Sequence, residues 1–109
     1  MLLQISQTDL DMIQQISIEQ LKAKQTSEKV FCFFDVRTRE EWAEAKIPGA
    51  KLFLDIPEAE IASLDKNTEI IFHCRSGGRS QRMAEIFEQN GFTNLSNLSG
   101  GILAWQKHS

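Results

Sequence analysis

The stretch Cys74-Arg75-Ser76-Gly77-Gly78-Arg79-Ser80 directly follows the apolar run Ile70-Ile71-Phe72-His73. The order of residue types describes a nucleophile on a turn. A strand ends, a cysteine stands at its carboxyl end, two glycines bend a tight loop, and a serine opens a helix. Backbone N–H groups and the positive end of a helix dipole gather at such a place, and both favour thiolate over thiol. A free cysteine with pKa about 8.5 is only a few per cent ionised at neutral pH. A depressed pKa makes Cys74 a standing nucleophile.

Charge around this stretch is uneven. Three of the five arginines, Arg75, Arg79 and Arg82, lie within eight residues of one another. The 109-residue chain as a whole carries a net charge of −3, which argues against a nucleic-acid footprint. A small anion at the loop is the expected partner, and not a polyanion. The two cysteines, Cys32 and Cys74, make no disulfide framework and no C-x-x-C pair, and His73 and His108 have no companions at metal-ligand spacing. No metal and no cofactor are expected. The start Met1-Leu2-Leu3-Gln4-Ile5 is too short for a signal-peptide core, and no stretch approaches 18 apolar residues. The expected setting is a reducing cytoplasm, without a membrane partner, where Cys74 stays usable.

The elements that must position the loop follow from periodicity. The composition, 41% hydrophobic and 25% charged, suits one globular domain. Apolar runs alternate with amphipathic segments, the pattern of an α/β fold with a parallel sheet. Residues 1–14 read as an N-terminal extension, with Thr8 capping a short helix that carries Leu10, Met12 and Ile13. Residues 15–109 read as a single domain. Ser17-Ile18-Glu19-Gln20 is a capping box ahead of a helix to about Lys24, and Thr38-Arg39-Glu40-Glu41 is a second one ahead of a helix to about Ala45. Strands are expected over 30–34, 51–54, 69–73 and 95–98, and a further helix over 57–64. The helix over 80–90 should bury Met83, Ile86 and Phe87 and end at Gly91 as a left-handed cap, with Phe92 packing back. Gly100-Gly101 turns into the last segment.

Four blocks together resemble the rhodanese family: Phe34-Asp35-Val36-Arg37, Ile47-Pro48-Gly49-Ala50, the Cys74 loop, and Leu98-Ser99-Gly100-Gly101-Ile102-Leu103-Ala104-Trp105. They stand in the family's order and at its spacing. One departure is Ala45-Lys46, where the family often has Gly-His. The resemblance implies a three-layer α/β/α fold with a five-stranded parallel sheet in the order 3-2-4-5-1 and an active site in the loop after the fourth strand. It implies transfer of sulfane sulfur through a Cys74 persulfide. The donor would be one such as thiosulfate and the acceptor a thiol or cyanide, with a thioredoxin- or glutaredoxin-type protein as a candidate protein partner. Two other readings stand beside it. One is a persulfide carrier or docking module for a partner protein. The other is a phosphatase or arsenate reductase on the same fold, whose signature has five residues between cysteine and arginine where this chain has four.

Each site residue has a plainer alternative. A free cysteine is usually core filler, which suits Cys32 in its run of phenylalanines. It does not suit Cys74, followed by Arg-Ser-Gly-Gly-Arg. Arg75 is the side chain placed to meet the incoming anion, while Arg79 braces the loop through backbone carbonyls or a carboxylate. Asp35 is either the carboxylate partner of an arginine there or a strand-end turn aspartate, and Arg37 is read the same way. Gly77 and Gly78 either take positive φ or make room for substrate. Ser76 can offer its hydroxyl to bound sulfur, and Ser80 is most simply an N-cap. His73 invites a Cys–His base reading, but neighbouring side chains in a strand point to opposite faces. Trp42 and Trp105 read as helix-face packing, with Trp105 near the pocket rim.

Overall fold

The computed structural model describes residues 13–108. Five short strands form one sheet: β1 (Ile13–Ile16), β2 (Cys32–Asp35), β3 (Lys51–Leu52), β4 (Ile70–His73) and β5 (Leu95–Leu98). All pairings are parallel, in the order β1-β5-β4-β2-β3. Read from the other edge this is 3-2-4-5-1. Between the strands run α1 (Ile18–Thr26), α2 (Arg39–Glu44), a 3₁₀ turn (Phe53–Asp55), α3 (Glu58–Ala62) and α4 (Gly78–Gln89), and α5 (Gly101–His108) closes the order.

The strands are buried on both faces because helices cover both, and the pleat sends alternate residues each way. Phe34, Ile70, Phe72 and Leu95 join Ala84, Phe87 and Phe92 in one core, under α4. Phe33, Ile71 and Leu98 join Ile18, Leu21 and Ile102 in the other, under α1 and α5. Both capping boxes form: Ser17 with Gln20, and Thr38 with Glu41. Gly91 has φ 95°, and the Phe92 N–H returns to the Phe87 carbonyl at 3.1 Å. Both tryptophans lie on helices with a lysine over the ring, Lys46 on Trp42 and Lys22 on Trp105. Trp105 packs on the second core.

Several elements depart from periodicity. Ile13 does not belong to a helix. It pairs with Leu95, and Ile16 pairs with Leu98, as the first and last residues of an edge strand. Ile13 and Ile16 enter opposite cores while Gln14 and Gln15 stay outside. A spacing of three suits a helix face, but it also suits the two faces of a strand. Leu10, Met12 and the rest of the expected opening helix lie outside the described residues. Val30 is 93% exposed, because the ladder starts at Cys32, whose N–H meets the Glu69 carbonyl at 2.9 Å. The third strand stops at Leu52, and Leu54 turns outward in the 3₁₀ turn. The buried face of α4 runs through Ser80, Ala84 and Phe87, so Ile86 is left half-exposed. Among the described residues, no helix is long and apolar enough to cross a membrane.

Candidate active site

Cys74 is the first residue after β4, and the three residues that follow carry the chain into α4. Gly77 occupies the N-cap position with φ 117°, which a residue with a Cβ rarely adopts. Gly78 has no positive φ; it opens the helix, and a Cβ there would meet no neighbour within 4 Å. Since α4 begins two residues before Ser80, Ser80 is not the N-cap. It stands in the first turn, fully buried, with its hydroxyl turned back to the cysteine.

The result is a cradle around Cys74 Sγ. The Gly77 N–H donates to it at 3.1 Å and the Ser80 N–H at 3.4 Å, and the Ser80 hydroxyl lies 3.3 Å away. Burial pushes the thiol pKa up, since Cys74 is only 1% exposed. Hydrogen bonds to the charged sulfur, from the Ser80 hydroxyl when it turns to Sγ and from the N–H groups of Ser80, Gly77 and Ser76, outweigh burial, and the net shift is downward. The cysteine is thus poised toward thiolate at the bottom of a ring of donors.

The loop is held from two sides. Behind it, the first turn of α5 binds its carbonyls: Ile102 N–H to Cys74 at 3.0 Å and Leu103 N–H to Arg75 at 3.2 Å. Beside it, both terminal nitrogens of Arg79 bind the Glu41 carboxylate at 2.9 Å. Glu41 is the capping-box residue of α2, and these bonds, Arg79 first and then the Thr38 N–H, lower its pKa to about 2. Arg79 therefore braces through a carboxylate, and that carboxylate is not Asp35. Asp35 instead accepts four bonds from Arg37: its N–H at 2.9 Å, Nε on both carboxylate oxygens at 3.0 and 3.1 Å, and Nη2 at 2.7 Å. Asp35 is completely buried and Arg37 nearly so.

His73 is buried on the Asp35 side of the sheet, its ring 5.2 Å from that of Phe33. Its Nδ1 donates to the Cys74 carbonyl at 3.2 Å, and Nε2 lies 3.5 Å from Asp35. The pKa of the ring is lowered by burial, against the pull of Asp35. The ring contacts the carbonyl of the cysteine and not its sulfur. Arg75 and Ser76 project outward from the loop. Cys32 lies half-buried in the first core, its pKa raised by burial. Among the described residues, no group of three or more His, Cys, Asp or Glu could hold a metal ion.

The model of the Rhodanese-like domain matches residues 17–108, which spans strands β2 to β5, the cradle and α5. The chain belongs to the rhodanese-like domain family. It is 40% identical over 96 residues to the Bacillus subtilis protein YtwF, covering 86% of this chain and 91% of that one. A protein of Allochromatium vinosum named Sulfurtransferase is 31% identical over 98 residues, covering 89% and 92%. The solved structure of a Rhodanese-like Domain Protein from Staphylococcus aureus superposes with a TM-score of 0.73 at 36% identity, covering 85% and 91%.

Three residues of this rhodanese-like site are not legible as such in the sequence. Glu41 reads there only as a helix cap. Gly101 reads only as a turn. Asn97, 4% exposed in β5, receives the Ser80 hydroxyl at 2.6 Å. Its one signal is a polar amide between Leu95 and Leu98 in a strand buried along its length, where a buried polar group needs a partner.

Proposed function

We infer that this chain is a sulfurtransferase that moves sulfane sulfur by double displacement through Cys74. The observation that carries the reading is the convergence of N–H donors on Sγ, 3.1 Å from Gly77 and 3.4 Å from Ser80. The Cys74 thiolate attacks the outer sulfur of a donor such as thiosulfate. An S–S bond forms to Sγ, the sulfur–sulfur bond of the donor breaks, and sulfite leaves with that electron pair. The anionic persulfide remains in the cradle. An acceptor thiolate or cyanide then attacks the outer sulfur, and Sγ leaves as thiolate. Sulfur suits both steps, because thiolates attack S–S bonds and leave them readily. The same N–H groups stabilise the attacking sulfur and the leaving sulfur. Arg75, which has no ion-pair partner among the described residues, meets the anionic donor; Ser76 and Gly78 form the rim. The name of the Allochromatium relative supports the reaction class.

The state of Arg79 favours sulfur over phosphate chemistry. Both of its terminal nitrogens are engaged by Glu41, and only four residues separate it from Cys74. A guanidinium held in this way is not free to wrap a tetrahedral oxyanion.

Intact mass after incubation with thiosulfate tests the proposal. One added sulfur on Cys74, removed by cyanide with release of thiocyanate, is expected. Repeated turnover marks an enzyme rather than a persulfide carrier. No added sulfur, or turnover of p-nitrophenyl phosphate comparable to sulfur transfer, overturns it.

A further inference from the structure

Behind the cradle lies a polar network that the reaction as described does not use. Asn97 Nδ2 faces three acceptors: the Gly77 carbonyl at 3.1 Å, Gln15 Oε1 at 3.1 Å and Gln81 Oε1 at 3.2 Å. The Gly77 carbonyl can only accept, so the amide is oriented with its N–H₂ on that side and Oδ1 toward Ser80. Oδ1 also can only accept. The 2.6 Å contact between Ser80 Oγ and Asn97 Oδ1 therefore carries the Ser80 proton. A serine hydroxyl has one proton, so it cannot donate at once to Oδ1, to Cys74 Sγ and to the Gly77 carbonyl 3.2 Å away, and Oδ1 is the nearest of the three. The 3.3 Å contact between Oγ and Sγ is satisfied in this arrangement only if sulfur holds the proton and Oγ accepts it.

We propose that Asn97 is a positioning residue for the nucleophile: it accepts the Ser80 O–H hydrogen bond while Sγ is uncharged and gives that hydrogen bond up to Sγ when Sγ becomes a thiolate. The proposal rests on the reading that Cys74 cycles between thiolate and persulfide. When Sγ attacks the donor it becomes neutral, and the hydroxyl rotates to Oδ1. When the acceptor removes the outer sulfur, Sγ leaves as an anion, and the hydroxyl rotates back. No proton is exchanged with solvent in either step; one O–H bond changes direction. The hydrogen bond therefore follows the charge, which a fixed N–H group cannot do. Because Oδ1 competes for that proton, Asn97 also restrains the acidity of the resting thiol. Other charges stay in place. Arg79 bears on Cys74 through its charge and a side-chain hydrogen bond but is held by Glu41 beside the loop, Arg75 projects from the rim, and His73, Asp35 and Arg37 form their own network on the far face.

The test is the pH dependence of Cys74 alkylation by iodoacetamide, a neutral reagent. It is run in a Cys32→Ala background so that one thiol reports. Well below the midpoint the rate follows the thiolate fraction. Ser80→Ala removes a donor and slows alkylation there by about threefold to tenfold, the effect of one hydrogen bond. Asn97→Leu removes the nearer competitor, leaving only the Gly77 carbonyl at 3.2 Å, and speeds it by up to a similar factor, but only where Ser80 is present. In the Ser80→Ala protein, Asn97→Leu leaves the midpoint unchanged. Asn97→Asp, which keeps the side-chain shape, is the second probe. Its carboxylate holds the hydroxyl proton more tightly, so the midpoint rises more with Ser80 present than in the Ser80→Ala protein. Ser80→Thr, which restores a hydroxyl, returns the wild-type profile. Additive effects of positions 80 and 97 on the midpoint overturn the proposal and make Asn97 a support of the loop backbone only. Thiol acidity is read without any sulfur donor. A failed cycle with intact persulfide formation rejects Asn97 alone, while a failed thiosulfate reaction with an intact cycle rejects the sulfurtransferase reading.

Discussion

Gly101 lies directly against the carbonyl oxygen of Cys74. A Cβ built on it would overlap that oxygen and stand 2.5 Å from the carbonyl oxygen of Arg75. Its φ of 57° is left-handed as well. The turn before α5 thus reaches the catalytic loop with nothing between the two backbones, and the next two N–H groups bind the same carbonyls. Gly101→Ala must push the loop away. Displacing even one N–H from Sγ removes about 1 kcal/mol of thiolate stabilisation. Sulfur transfer is expected to fall about tenfold or more, with a lower melting temperature. Unchanged kinetics would mean that the contact with α5 does not set the loop.

Cys74→Ser should abolish persulfide formation while leaving the fold intact, since an alkoxide is far harder to form than a thiolate at neutral pH. Cys32→Ala should keep activity near wild type and lose about 1 kcal/mol of stability as a small core truncation. Thiosulfate:cyanide turnover and thermal melts of the two variants check this. Residual turnover in Cys74→Ser would remove Cys74 from the chemistry.

Because the net shift of the Cys74 pKa is downward, thiolate forms in the native protein at a pH where the unfolded chain still carries thiol. Alkylation of native Cys74 should therefore pass its midpoint below that of the unfolded protein. The stability that the thiolate contributes is present above the unfolded thiol pKa and is lost as pH falls through the native one. A native midpoint equal to or above the unfolded one contradicts the cradle electrostatics.

Arg75→Ala should raise KM for thiosulfate by about one to two decades, the range of a charge-assisted contact of about 1.5–3 kcal/mol. Alkylation by iodoacetamide should change far less. Steady-state kinetics with both reagents decide it, and an unmoved KM places Arg75 outside the donor site.

Glu41→Gln should weaken the α2 cap and release Arg79 together. The native carboxyl titrates at about 2, below its unfolded value, so the stabilisation is complete above about pH 4.5 and is lost as pH falls toward 2. At neutral pH the variant should be less stable by about 1 kcal/mol. The gap between the two proteins should close across that acid range. A gap that persists to pH 2 would assign the loss to packing rather than charge.

Asp35→Asn should cost more, about 3–5 kcal/mol, because it leaves the buried Arg37 guanidinium without its counter-charge. Chemical denaturation measures it, and a loss under about 1 kcal/mol would show that the Ala45 carbonyl, 2.7 Å from Arg37 Nη2, suffices alone.

Local rules determined much of this protein. The capping boxes at Ser17 and Thr38, the Gly91 stop and the apolar run of β4 depend on residues close together in the chain, and they form as the spacing predicts. The placement of Cys74 at the start of a tight loop is legible for the same reason, since strand, cysteine, glycines and helix are consecutive. What only the tertiary structure decided are the pairings across long separations. Glu41 finds Arg79 and Asn97 finds Ser80, while Asp35 closes on Arg37 two residues away rather than on a loop arginine. Ile13 becomes a strand residue only because Leu95 lies beside it. Spacing along the chain fixes which face a side chain takes within its own element. Which partner waits on that face is set by how the elements stack, and no local pattern carries that information.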